Sequence, residues 1–267
     1  GLRFSYWFKN NKIGWFDNSN KTRWPKNLRS DYFFALNKFY IPKYQNLLKS
    51  DYHVLGHFRN NLVKIKQTKF HKKFLYLSQL HDSPKFKKGI HYDHLKYRKK
   101  LLHFINSYLS NSNKKLHILL RRSKDSPIQK LEIDFYKKIF KSNCVFYQST
   151  DWKKKYQIMD KFENIVFTLT TMGYEAIARK KKVAIFAPTK FNGSKFYFGW
   201  PDIYKKKYNF FSSKNLTYKE VKRVLDNINN CSQSNWNKKY YKDIKDQLHF
   251  DKNNEKLRNL IIKLIKI

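Results

Sequence analysis

Thr168-Leu169-Thr170-Thr171-Met172-Gly173-Tyr174-Glu175-Ala176 follows an apolar, strand-like run at 164–167 and leads into a helix expected over 173–179. Two hydroxyls and a glycine therefore stand where a strand ends and a helix opens. At such a junction the free backbone N–H groups and the positive end of the helix dipole can hold a phosphate. Thr170 and Thr171 can donate to phosphate oxygens, and Gly173 permits close backbone approach. Glu175, inside the first turn, can accept both hydroxyls of a ribose. The same spacing also reads as a helix N-cap with Glu175 as its capping-box partner.

Working outward, the pattern repeats. Val183-Ala184-Ile185-Phe186 is a strand beyond that helix. Upstream, Phe74-Leu75-Tyr76-Leu77, Leu116-His117-Ile118-Leu119-Leu120 and Cys144-Val145-Phe146-Tyr147 read as buried strands. Helical spacing lies between them over 95–109, 127–140 and 151–159. Short apolar strands alternating with helices indicate an α/β fold, a doubly wound parallel sheet of Rossmann type. Ligands of such sheets bind at the carboxyl ends of the strands, which selects the loops at 81–84, 121–126 and 168–173. Residues 1–65 are aromatic-rich and less regular, with a helix expected over 31–48 and a strand over 52–55. The polar stretch 64–73 reads as a domain crossing. The expected organisation is the remnant of an N-terminal, acceptor-side domain at 1–65, a nucleotide-binding domain at 66–250 and a C-terminal helix at 251–267. The chain opens without Met in what reads as mid-domain, so further sequence is expected before Gly1.

The run 170–188, TTMGYEAIARKKKVAIFAP, resembles the segment S-T-L-G-Y-E-x-x-A-R-G-K-K-V of a family of bacterial surface-carbohydrate biosynthesis transferases. Those proteins are similar in turn to the C-terminal halves of GT-B glycosyltransferases and of UDP-sugar 2-epimerases. Val54-Leu55-Gly56-His57-Phe58-Arg59-Asn60-Asn61 resembles the family's L-G-S-F-K-N-N crossing. Leu119-Leu120-Arg121-Arg122-Ser123 resembles its strand ending in an Arg-bearing loop, Phe198-Gly199-Trp200-Pro201 falls in order, and Asp251-Lys252-Asn253-Asn254 resembles its closing D-x-x-N. The chain departs from the pattern at Leu169 (the family's Asp), Thr170 (Ser), Lys180 (Gly) and His57 (Ser). The resemblance implies a glycosyltransferase that uses a nucleotide-activated sugar to build surface polysaccharide or lipopolysaccharide. A UDP-sugar 2-epimerase or a polyol-phosphate transferase on the same scaffold is the alternative enzyme.

Within that expectation, Arg121, Arg122, Thr170, Thr171, Gly173 and Glu175 would hold the nucleoside diphosphate, Arg forks being suited to paired phosphates. Arg59 and Asn60 would face the cleft between domains, together with Asn61. His57 and His81, on loops near that cleft, are the candidates for a general base. His91-Tyr92-Asp93-His94 matches no metal signature and reads as helix-start capping by Asp93. No Asp-x-Asp, GxxxxGK[ST], GxGxxG or HExxH occurs, so neither a metal nor a bound cofactor is expected and the sugar nucleotide is a substrate.

The formal charge of +39 comes from 58 Lys and Arg against 19 Asp and Glu. Only ten of the 58 are Arg, and Lys is spread along the whole chain, in company with Asn, Ile, Phe and Tyr. That distribution argues against a dedicated nucleic-acid binder. It reads first as compositional drift towards AT-rich codons; a transferase of glycan or glycolipid acceptors at an anionic membrane surface would benefit from it, and a non-enzymatic basic module on membrane or nucleic acid is the rival reading. Leu257, Leu260, Ile261, Leu264 and Ile265, with Lys256, Lys263 and Lys266 alongside, form a helix able either to lie on an anionic bilayer or to pack back on the core. Two separated cysteines, Cys144 and Cys231, and the lack of a long apolar run lead to the expectation of a cytoplasmic protein, peripheral on the inner membrane face.

Overall fold

The computed structural model describes residues 8–9, 12–13, 28–38, 41–45, 48–65, 71–80, 90–168, 170–186, 209–245 and 248–265. Phe8–Lys9 (β1) and Lys12–Ile13 (β2) form a short antiparallel pair. Leu28–Ala35 (β3) and Leu48–Val54 (β4) then pair in parallel around the five-residue helix Ile41–Gln45 (α1). A single helix over 31–48 is therefore not what forms. Tyr32, Phe33 and Phe34 carry a β-favouring aromatic run. Their rings meet those of the neighbouring strand, with Phe33 to Tyr52 at 5.3 Å and Tyr32 to His53 at 5.7 Å. Pro42, suited only to a first helical turn, belongs to the short α1.

The main sheet has six parallel strands: His71–Leu77 (β5), Leu116–Leu119 (β6), Cys144–Tyr147 (β7), Phe162–Phe167 (β8), Lys182–Phe186 (β9) and Ser212–Ser213 (β10). Their order is β10-β9-β8-β5-β6-β7. The chain starts in the middle, builds outward to β7, and returns to lay β8 on the other side of β5. The reversal between β5 and β8 is the switch point where open α/β sheets bind ligands. β6, β8 and β9 are buried along their whole length, as expected of parallel strands covered on both faces. The covering helices include Ile90–Ser110 (α3), Gln129–Phe140 (α4), Trp152–Asp160 (α5), Thr171–Ala178 (α6) and Tyr218–Asn230 (α7). α3 starts at Ile90, so Asp93 lies inside its first turn rather than at the cap. β10 was not expected, because two serines carry no apolar strand signal.

After α7, the chain is helical without interruption through Gln233–Trp236 (α8), a π-turn Asn237–Tyr241 and Lys242–Ile244 (α9). Trp236 is buried, its ring 5.4 Å from that of Phe211. The chain closes with Glu255–Ile265 (α10), which, among the described residues, contributes nothing to the interior.

Two buried polar clamps join segments far apart in sequence. Arg179, at the end of α6, pairs with Asp160 of α5 and donates to the carbonyls of Asn60 (3.3 Å) and Val63 (3.0 Å) and to Asn60 Oδ1 (3.2 Å). Asn61 donates to Leu55 O (2.7 Å) and to Asn254 Oδ1 (2.8 Å), and accepts the N–H of Asp251 at 3.0 Å. Asn254 in turn donates to Phe58 O at 3.2 Å. The short helix Phe58–Leu62 (α2) is thus held from both sides. Gly56 completes the approach: its φ is +73°, and a Cβ there would lie 1.9 Å from the carbonyl oxygen of His249.

Candidate functional site

A cavity of about 450 Å³ opens at the carboxyl end of the main sheet. Its lining comes from the segments after β6, β7 and β8 and from α2. Arg121, Arg122, Ser123 and Ser126 come from the connection after β6. Ser149 and Thr150 follow β7, and Trp152, Lys155 and Tyr156 come from α5. Met172 and Glu175 come from α6, and His57 and Arg59 reach in at the start of α2. Three arginines and a lysine (Arg59, Arg121, Arg122, Lys155) therefore line the same cavity as one carboxylate, Glu175.

That carboxylate is almost fully buried. His57 Nδ1 lies 2.7 Å from Glu175 Oε1, with the Glu175 side chain 3% exposed and that of His57 34%. No partner among the described residues meets hydrogen-bond geometry at Nδ1, so the two groups lie close without an aligned bond. Tyr156 reaches the same carboxylate. Burial, then the Glu175 charge and the hydrogen bond to it, push the Tyr156 phenol far above its ordinary value. Tyr156 is consequently a neutral donor at any ordinary pH. A carboxylate offers about four acceptor positions, which leaves Glu175 room for a further donor from the cavity.

The two arginines following β6 are held by a residue that the sequence reading did not single out. Glu132, in the first turn of α4 and wholly buried, accepts the backbone N–H of Arg121 (3.0 Å, Oε1) and of Arg122 (3.0 Å, Oε2). Its Oε1 also accepts the hydroxyl of Ser78, which follows β5 and receives a bond from Tyr136 at 2.7 Å. One carboxylate thereby sets the turn that presents two guanidinium groups. Its only sequence signal was an acidic residue early in a helix, which ordinarily marks a surface dipole contact. Lys155 donates to Arg121 O at 2.6 Å, and burial, reinforced by the neighbouring arginines against the opposing pull of Glu132, lowers its pKa. An anion in the cavity would reverse that shift. At the switch point itself, the Thr168 hydroxyl bonds Gln79 Oε1, tying the β5 and β8 loops together.

The other expected residues are distributed as follows. Thr170 is the N-cap residue of α6 by position, but its side chain makes no capping bond among the described residues. Glu175 lies five residues beyond it, too far for a capping box. Thr170 is half-buried and Thr171 exposed; both stand at the start of the helix that supplies Met172 and Glu175, and neither lines the cavity. Gly173 faces the protein rather than the cavity. A Cβ there would lie 2.2 Å from the Phe167 ring, so its role is to let α6 pack on β8. Asn60 is fully buried and engaged by Arg179; it positions α2 and does not face a cleft. Arg59 does line the cavity, its guanidinium 5.7 Å from the centroid of Trp152. His81 lies outside the described residues, as do Leu169 and the stretch 198–201.

The departure at Lys180 also has a structural meaning. Its φ is +64°. Its N–H bonds Ile177 O at 2.8 Å, and that of Lys181 bonds Ala176 O at 3.0 Å. This is the Schellman closure of α6, whose left-handed residue is usually Gly.

Comparison with known proteins gives one family and several folds. A family model described as "putative O-antigen biosynthesis protein" matches residues 8–265. No curated protein matches the sequence. Among solved structures, the wall teichoic acid polymerase TagF (H444N variant) superposes with a TM-score of 0.50 at 12% identity, over 88% of this chain and 58% of that one. TarM gives 0.46 at 15% identity, covering 88% and 43%. A UDP-N-acetylglucosamine 2-epimerase of Listeria monocytogenes gives 0.44 at 10%, covering 86% and 52%. The chain spans about half the length of these structures. The parallel six-stranded sheet matches the GT-B architecture.

Proposed function

We propose, for a chain that belongs to this O-antigen biosynthesis family, that it carries the sugar-nucleotide site of a GT-B glycosyltransferase building surface polysaccharide. The observation that carries the reading is the cavity at the sheet's carboxyl edge, which Arg59, Arg121, Arg122 and Lys155 line together with the buried Glu175. A nucleoside diphosphate is the ligand class that needs both halves of that arrangement. Its phosphates want fixed cations, and its ribose diol wants a buried acceptor. In transfer, an acceptor hydroxyl attacks the anomeric carbon while the bond to the diphosphate oxygen breaks. The leaving group departs with the electron pair, and the cations stabilise it without rearrangement. This supplies the charge neutralisation that a metal-independent transferase requires. The acceptor's proton needs a base, and His57, which lines the cavity, is the candidate among the described residues.

Calorimetric titration with UDP, CDP and CMP in moderate salt tests the reading, with Glu175→Ala as control. Selective binding of one nucleotide, weakened by about tenfold or more in the variant, is expected for the loss of a buried acceptor. Binding that follows phosphate number alone and vanishes in salt would remove the assignment. Release of nucleotide without an acceptor, coupled to inversion at C2 of the sugar, would favour the epimerase alternative.

A further inference from the structure

We propose that α10, with the outer side of α2 beside it, is a docking surface for an anionic lipid bilayer. No residue of the 11-residue α10 is buried among the described residues, and Ile261, Ile262, Leu264 and Ile265 are all exposed, Ile265 by 77%. At 100° per residue, Leu257, Leu260, Ile261, Leu264 and Ile265 fall on one side of the helix. Arg258 and Lys256 border that side, while Glu255, Asn259, Ile262 and Lys263 fall on the other. Among the described residues α10 adds none of its side chains to the core, Leu257 and Leu260 being half-buried and the rest of the apolar side exposed.

A second patch adjoins it. α2 leaves Phe58 (43%) and Leu62 (51%) exposed, four residues apart on one face. The turn Lys252–Asn254 that launches α10 is bonded to α2 through Asn61–Asn254 and Asn254–Phe58. The two elements that carry exposed apolar residues are thus joined through one hydrogen-bonded turn. Cations accompany both: Lys256 and Arg258 border the apolar side of α10 and Arg59 stands on α2, with Glu255 the sole acidic residue of α10.

Charge selects the occupant. An apolar stripe edged by Lys and Arg, on a chain of formal charge +39, is complementary to acyl chains beneath anionic headgroups. No helix among the described residues is long and apolar enough to cross a membrane, so the binding mode is in-plane insertion. α2 also supplies Arg59 to the cavity, so insertion would bring that cavity to the bilayer surface. The inference does not draw on the chemistry inside the cavity and stands or falls separately from it.

Flotation of the full chain with vesicles of phosphatidylcholine, alone or with an equal part of phosphatidylglycerol, tests the surface. We expect co-flotation with the mixed vesicles that persists in part at high salt. The Ile261→Glu/Leu264→Glu variant, with unchanged circular dichroism and melting, should lower partitioning by about tenfold or more. Adsorption abolished by salt and indifferent to that variant would overturn the proposal, leaving only nonspecific polycation binding. Absence of flotation, with a wild-type dimer on gel filtration that the variant converts to monomer, would also overturn it and assign the face to a second copy of the chain.

Discussion

Glu132 never touches the cavity, yet it decides where two of the cavity's four cations stand. Replacing it by Gln keeps the size but substitutes an NH2 for one of two oxygens that accept backbone N–H groups. A buried donor left facing a donor costs about 1–3 kcal/mol. Glu132→Gln is therefore expected to lower stability by that amount in denaturant melts and to weaken nucleotide binding, whereas Arg122→Lys should affect binding alone. Gly173 makes an opposite point, since it is conspicuous in the sequence and structural in the fold. Gly173→Ala forces its methyl into Phe167, and overpacking of this kind costs about 1–3 kcal/mol. Phe167→Leu should recover part of that loss in a double-mutant cycle. At Lys180, a non-glycine residue sits in the left-handed region at a cost of roughly 1–2 kcal/mol. Lys180→Gly should therefore raise stability, by about 0.5 kcal/mol after the entropy of glycine is subtracted. These substitutions differ in sign, and melting curves separate them.

At the scale of elements, β5 to β9 were legible because each is a short apolar run that a parallel sheet buries on both faces. Their order was not written in any one of them, and the doubly wound topology followed from alternation alone. The stretch 31–48 was misread because its aromatic residues also satisfy a helical period, and only pairing of Tyr32–Phe34 with β4 settles the matter. Among site residues, Arg121, Arg122 and Glu175 were legible from their position at strand and helix ends. The meeting of His57 with Glu175 was not, because nothing in a sequence measures a distance between residues 118 apart. Asn60 and Arg179 were misjudged or missed for the same reason, since a buried polar clamp is visible only once its partners are assembled. Truncating Arg179 to Met leaves Asp160 without its counter-ion, for which a loss of about 3–5 kcal/mol is expected. Beside it, burial pulls the Lys181 ammonium from 10.5 down to about 8, outweighing the attraction of Asp160. Below that pH both folded and unfolded chains carry the charge, and its burial weakens the fold. Between roughly pH 8 and 10 the folded state gives up the proton first, so stability rises with pH. Thermal melts across that interval should climb more steeply for the wild type than for Lys181→Met.

For the molecule as a whole, the last 17 residues divide sharply at Glu255. Ending the chain before Glu255 removes a helix with no buried residue, and melting should change by no more than about 0.5 kcal/mol. Ending it before Asp251 takes away two of the three partners of the Asn61 side chain, leaving only Leu55 O, and should cost several times as much. That asymmetry has a consequence for how the protein is made. Asn254 follows Asn61 by 193 residues, an interval of roughly 10–40 s at ordinary translation speeds. Throughout that wait α2, Phe58 and Leu62 included, has only the Arg179 clamp to hold it, and the second clamp arrives last. A ribosome stalled in that interval would release a product whose sheet is complete but whose His57 and Arg59 are steadied from one side alone.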